Sequence, residues 1–256
     1  MGQNGAPAPR GSLPTHTARR IIRDFVDRGL QPGEGLADEA TLIERYGVSR
    51  ATLREALRLL TFLGAVTVKA GPHGGPRLAT PSPAVVGSAL AMVVQFQGAT
   101  LRTVFEARIR MEPAVAALAA VHRDDHDLAL LDQSASALRA HQRSRGPEYA
   151  EDGVRYTLRV GAASHNALLA SLVPALAAMT RTVRWRYPQG SRLELTDRVE
   201  KTVDAIRASD GRAAADATRA MVQGLVDGLE SDQPGILQRR VMWPDVDEVL
   251  IERRWN

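Results

Sequence analysis

Cysteine is absent from all 256 residues, which excludes disulfides, thiol catalysis and cysteine-held zinc or iron–sulfur centres. Aromatic residues are scarce, at 4%, while Ala, Leu, Val and Arg abound, and that balance favours helices over a β-sandwich. Long apolar runs fit for a bilayer are also missing. The two uncharged stretches, 78–101 and 160–180, carry Pro, Ser and Asn or Gln and read as buried helices. The opening residues, MGQNGAPAPRGSLPTH, are polar and rich in Pro and Gly and lack the apolar core of a secretory signal. A soluble cytoplasmic protein without membrane contact is the expectation. Enzyme signatures are missing as well. There is no Gly-rich phosphate loop after a strand and no GxSxG, and carboxylate pairs such as Glu151-Asp152 read as surface groups, so no nucleophile–base constellation can be assembled.

What is present is enough hydrophobic material, 44% of the chain, for two small cores or one large one. Charge is unevenly placed. Residues 1–80 hold 11 Lys and Arg against 7 Asp and Glu, whereas 81–256 hold 22 of each. The whole excess of +4 therefore sits in the first third, where it can attract a polyanion.

Residues 1–14 read as a flexible tail. A helix is expected from about 15 to 28, capped by Thr15 or Thr17, with Ile21, Ile22, Phe25 and Val26 on its apolar face and Gly29 at its end. Gln31-Pro32-Gly33-Glu34-Gly35 reads as a turn. A short helix over 39–46 follows, capped by Asp38 and stopped by Gly47. Ser49 caps a third helix, about 50–63, ended by Gly64. Residues 65–69 alternate like a strand, Gly71 to Pro76 form a turn, and residues 77–79 return. Helix, helix, helix, hairpin is the order of a winged helix-turn-helix, assigned to 15–80. After Pro83 the periodicity is helical, with helices near 84–97, 101–121, 125–143, 148–163, 166–185, 192–208 and 212–230. The fold class is thus mainly α: a winged helix-turn-helix with a small β-hairpin wing, then an antiparallel all-α bundle of six to seven helices over 81–232. Residues 233–256 form an extension containing Trp243 and Trp255, which the pattern does not place.

In the third helix Leu53, Ala56, Leu57 and Leu60 make one buried stripe. Arg50, Arg54 and Arg58 recur at i, i+4 and i+8 on another flank. Aligned like charges repel by about 0.2–0.5 kcal/mol per pair, but the same ridge is favourable against phosphates. Arg50 and Arg54, near the helix start, are placed to reach guanine edges in a major groove. Ser49, Thr52 and Arg58 are the accompanying candidates for base or phosphate contacts. In the wing, His73 and Gly74 are candidates for the adjacent minor groove. On spacing alone, a solvated amphipathic helix followed by a hairpin stays open as the alternative.

The run LADEATLIERYGVSRATLREALRLLTFLG, Leu36 to Gly64, resembles the helix-turn-helix signature of the GntR family of bacterial repressors, and Leu30-Gln31-Pro32-Gly33 upstream fits it too. The resemblance implies that Arg50 and Arg54 stand where family members place arginines on operator bases. One departure is visible. Where the family commonly carries Glu-Arg in the second helix, this chain has Glu39-Ala40, which removes one customary DNA-contacting arginine and implies an altered operator. Downstream, Leu101 to Arg108, Met111-Glu112, Ala116 to Ala120, Tyr156 to Leu169 and Ala205-Ile206 resemble the FadR-type effector domain.

Many domains of that type hold a divalent metal through one Asp and three His. By the resemblance, the corresponding positions here are Gly153, Thr157, Val199 and Gly224, with Asp152 one residue out of place and about 100° round the helix. These residues cannot supply converging donors, so no metal and no other cofactor is expected. His122 and His126 form an HxxxH beside Asp124, Asp125 and Asp127, but Asp124-Asp125 reads as a loop and N-cap that puts the two histidines on different elements. A small-molecule effector must then be held by side chains. Candidates are Arg108, Tyr156, Thr157, Asn166, Arg181 and Arg184. An unpaired inward Arg108 implies an anion such as a carboxylate or a coenzyme A thioester; an ion pair with Glu112 at i, i+4 is the alternative. Arg181, Arg184 and Arg186 read equally as a solvated face.

The expected protein is a homodimeric, effector-controlled DNA-binding regulator, a repressor, acting on a double-stranded operator. A metal-dependent helical enzyme and a scaffold that does not bind DNA are the competing classes.

Overall fold

The computed structural model describes residues 12–69 and 75–243, and the chain divides into two compact units, Met1–Ser82 and Pro83–Asn256. The N-terminal unit runs α1 (Leu13–Asp27), α2 (Glu39–Tyr46), α3 (Arg50–Phe62), β1 (Val66–Lys69) and β2 (Gly75–Leu78). Helix α1 begins two residues earlier than the sequence pattern implies. Ser12 is its cap, accepting from the Thr15 amide, and Pro14 suits a first turn that needs no amide donor there. Thr17 lies inside the helix and donates its hydroxyl to Leu13 O at 2.8 Å. Val26, expected on the buried face, is 74% exposed; Ile21 and Phe25 carry that face.

Asp38 caps α2, accepting from the Thr41 amide at 2.8 Å, and Gly47 closes the helix at φ +62°, a left-handed conformation that favours glycine. The chain then turns directly into the Ser49 cap of α3. β1 and β2 pair antiparallel with Val66 opposite Leu78. β2 starts at Gly75, two residues before the expected return. The stretch 31–35, read as a simple turn, adds together with Leu36 a backbone edge to it: Gly33 N donates to Leu78 O, Leu78 N to Glu34 O and Leu36 N to Pro76 O. Ile21, Phe25, Leu42, Tyr46, Leu53, Ala56, Leu60 and Val66 form the core.

The C-terminal unit is an all-helical bundle: α4 (Pro83–Gln95), α5 (Leu101–His122), α6 (Asp125–His141), α7 (Glu148–Ala163), α8 (Ala167–Thr180), α9 (Ser191–Arg207) and α10 (Gly211–Asp232). Helix α8 stops at Thr180, short of the expected 185. Past its end the Trp185 indole N–H donates to Thr180 O at 2.9 Å and so caps an orphan carbonyl. The main core gathers Val115, Ala119, Leu131, Leu138, Tyr156, Val173, Val203 and Ile206 from five helices. Small residues set the closest approach: at Gly87 a Cβ would sit 2.6 Å from Ala175 O, so α4 and α8 touch backbone to backbone.

The stretch after 232, unplaced by pattern, is part of this unit as far as residue 243. Ile236 and Leu237 in a 3-10 turn, and Val241, are buried. Leu101 N donates to Arg239 O and Val241 N to Ala99 O. Trp243 donates its indole N–H to Ser88 Oγ at 2.7 Å. Trp255 lies outside the described residues. No helix among the described residues is long and apolar enough to cross a membrane.

Candidate nucleic-acid interface and effector site

The α3 helix divides its faces as its sequence demands. Leu53, Ala56 and Leu60 are buried, Leu57 partly so, and the three arginines stand outside. Their side chains are 69% (Arg50), 62% (Arg54) and 79% (Arg58) exposed. Ser49 Oγ accepts from the Thr52 amide at 3.2 Å and lies 2.9 Å from Thr52 Oγ1, so both hydroxyls sit at the helix start beside Arg50. Sequence reasoning missed the partner of this ridge. Glu39, the first residue of α2, takes Arg54 Nε at 2.9 Å, with a second contact at 3.4 Å, and lies 3.7 Å from Arg50 Nε. Arg58 pairs instead with Glu55 at 2.7 Å. These are solvated pairs, worth about 0–1 kcal/mol each, and they leave the guanidinium groups outward. His73 and Gly74 lie outside the described residues.

The angle of α2 against α1 is held by a small polar network. Tyr46 Oη donates to Asp24 Oδ2 at 2.9 Å, and Arg28 and Arg45 approach the same carboxylate at 3.4 and 3.5 Å. Burial, then the hydrogen bond to Asp24, push the Tyr46 phenol up to about 12.

In the bundle, the effector candidates separate. Arg108 and Tyr156 are buried. Arg108 is not unpaired: its Nε donates to Glu112 Oε1 at 2.5 Å, with a second bond at 3.4 Å, and its guanidinium lies 5.2 Å from the Phe105 ring centroid. Burial raises the Tyr156 phenol above its ordinary range; the neighbouring Thr202 hydroxyl opposes this and the Glu112 charge adds to it. Arg108 and Glu112 of α5 and Tyr156 of α7 are thus buried together in the bundle, with the Glu112 charge acting on the phenol. Among the described residues, the Tyr156 and Thr218 hydroxyls are buried without a hydrogen-bond partner, at a cost of about 1–3 kcal/mol each. Thr157 donates its hydroxyl to Gly153 O in its own helix. Asn166 is exposed and caps α8, accepting from the Leu168 and Leu169 amides at 3.1 Å. Arg181 and Arg184 are exposed.

The four positions at which related domains carry metal ligands do not fit a cation. Val199 is a buried apolar side chain. A Cβ at Gly153 would lie 3.7 Å from Tyr187 Oη, and one at Gly224 would lie 3.4 Å from the Arg198 guanidinium carbon. A positive group therefore fills the place of one ligand. Asp152, read as a surface acid, is buried and engaged: His141 Nδ1 lies 2.7 Å from one oxygen and Arg155 donates to the other at 2.6 Å. His122 ends α5 and His126 lies in α6, on different elements, because Asp124 caps α6. The histidine near those acids is His165, 2.7 Å from Asp127 Oδ2.

A small three-helix unit with a paired wing and an outward arginine ridge, joined to a seven-helix bundle with a buried polar cluster, defines a class: DNA-binding transcription regulators under effector control. The comparisons agree. Residues 13–72 match the family model described as bacterial regulatory proteins, gntR family, and residues 103–224 match the FCD domain. The HTH-type transcriptional regulator Mce2R of Mycobacterium tuberculosis is 30% identical over 242 residues, covering 85% of this chain and 91% of that protein. The galactonate operon transcriptional repressor of Escherichia coli is 28% identical over 198 residues, covering 75% of this chain and 85% of that one. A solved structure of a Streptococcus agalactiae GntR protein superposes with a TM-score of 0.65 at 22% identity, covering 82% of this chain and 98% of its own, and so supports the fold. The chain belongs to the GntR family, in its FadR-type branch with an FCD domain.

Proposed function

We propose that the protein is a cytoplasmic homodimeric repressor, not an enzyme, whose grip on a pseudo-palindromic operator is loosened by a small organic acid bound inside the bundle. The observation that carries the DNA half of this reading is the outward, solvated pair Arg50 and Arg54 at the start of α3. In this reading the two arginines meet base edges, Ser49, Thr52 and Arg58 hold phosphates, and His73 and Gly74 reach the neighbouring groove. A half-site read by one helix needs a second copy, and the outer face of α4 offers a place for it: Val86, Met92 and Val93 are exposed, and Phe96 just beyond is 83% exposed. The relative named as a galactonate operon transcriptional repressor supports repression.

The effector reading rests on the Arg108–Glu112–Tyr156 cluster. Two of the five guanidinium N–H donors are committed to Glu112, so three are left to share with an incoming carboxylate, which competes with Glu112 for this cation. The partnerless Tyr156 hydroxyl offers a further contact. Gel shifts on genomic fragments test the first half: salt-dependent binding to a discrete fragment, lost in Arg50→Ala, is expected, and binding unaffected by that change removes the reading. A thermal-shift screen of organic acids, followed by operator titration, tests the second. A stabilising acid that leaves operator affinity unchanged removes the sensor role.

A further inference from the structure

Between the loop after α6 and the loop before α9 lies a cleft of about 460 Å³, within the size range of small-molecule sites. Arg143, Arg145, Arg186 and Arg192 line it, and among the described residues no acidic side chain does. Other arginines of the same unit do meet acids. Arg139 is answered by Asp197 and Glu200, Arg207 by Asp132 and Asp204, and Arg155 by Asp152. Two acids flank the cleft without lining it: Glu194, next to Leu193, and Glu148, which accepts from the Ser144 hydroxyl at 2.5 Å and is held low by that bond and in part by the Arg192 charge.

Arg192 is the fixed member. It donates to Ser144 O at 2.5 Å, its guanidinium lies 5.1 and 5.0 Å from the Tyr149 and Tyr187 ring centroids, and Tyr149 Oη donates to Arg192 O at 2.9 Å. The side chains of Arg143, Arg145 and Arg186 are exposed and make no hydrogen bond or ion pair with any described residue. Arg192 is partly answered by Glu148, whereas Arg143, Arg145 and Arg186 share the cleft with no acid and repel one another unless an anion answers them. Guanidinium forks match phosphate oxygens two at a time, and several unanswered forks suit a ligand with two or more charges. Tyr187, Pro188 and Leu193 supply an apolar wall for an organic portion.

We propose that this cleft binds a small phosphate-bearing anion of the pyrophosphate or nucleoside diphosphate class, on residues separate from the Arg108–Glu112–Tyr156 cluster. The site is a hollow rather than a ridge, which favours a small ligand over a duplex backbone.

The test is calorimetric titration of the full chain with pyrophosphate and with ADP, on the unaltered protein, on Arg143→Ala/Arg145→Ala/Arg186→Ala, and on Arg50→Ala/Arg54→Ala. The three cleft side chains are solvent-facing and unpartnered, so their removal leaves the fold intact, as an unchanged circular dichroism melt verifies. The expected result is a Kd below about 1 mM that weakens with salt, at least a tenfold loss in the triple variant, and full retention in the α3 variant. No measurable binding by the unaltered protein, or binding that survives in the triple variant, overturns the proposal. A parallel titration with non-specific duplex DNA closes the test: a triple variant that loses affinity for the duplex in place of the small anions also overturns it.

Discussion

Replacing Arg54 by Ala separates reading from mere attraction. A bidentate guanine contact discriminates by about 1–3 kcal/mol. In the free protein Arg54 is held by Glu39 at 2.9 Å, but the two side chains are 62% and 37% exposed. Such a pair is worth about 0.2–1 kcal/mol, which must be surrendered when the guanidinium turns to a base. Taking the middle of each range, the net loss on truncation is about 1.4 kcal/mol per half-site, or about tenfold, and a dimer reading two half-sites doubles the energy. Fluorescence anisotropy against the operator and a scrambled duplex, over a range of salt, measures both. Operator affinity should fall by the larger factor, and the preference for operator over scrambled DNA should shrink. Glu39→Gln supplies the converse: freed from its tether, the ridge should bind both duplexes up to about fivefold tighter. An equal loss of operator and scrambled binding in Arg54→Ala would mean that Arg54 touches only phosphate, and the base-reading assignment would fall.

Glu112→Ala leaves the Arg108 charge buried and alone and should cost the bundle about 3–5 kcal/mol in chemical denaturation, whereas Arg108→Met/Glu112→Leu should cost far less, because no charge is then stranded. A Cβ at Gly87 meets Ala175 O at 2.6 Å, so Gly87→Ala should lower the thermal midpoint in proportion to about 1–3 kcal/mol of overpacking, despite the better helix propensity of Ala. The Tyr46 phenol is at about 12 in the folded unit against 10.0 ordinarily. Its contribution is whole below pH 10 and is lost as pH rises towards 12, since the unfolded chain ionises first. Alkaline denaturation of the α1–α3 unit should therefore steepen in that window and flatten in Tyr46→Phe; identical profiles would refute the upward shift of the buried phenol.

Local chemistry made much of this protein readable without coordinates. Asp38, Gly47 and Ser49 mark the α2–α3 corner because caps and left-handed turns are decided by a few neighbouring residues. The leucine stripe of α3 turns Arg50, Arg54 and Arg58 outward for the same reason: 3.6-residue periodicity alone orients a face. What pattern could not reach depends on residues far apart in the chain. Glu39 meets Arg54 across 15 positions, Tyr187 and Arg198 fill the space beside Gly153 and Gly224, and residues 236–241 join the bundle by bonding to the start of α5. The choice between a free and a paired Arg108 was open in the sequence, since i, i+4 spacing permits a pair without requiring it. Burial decided it, because an unanswered guanidinium in that core would be too costly to keep.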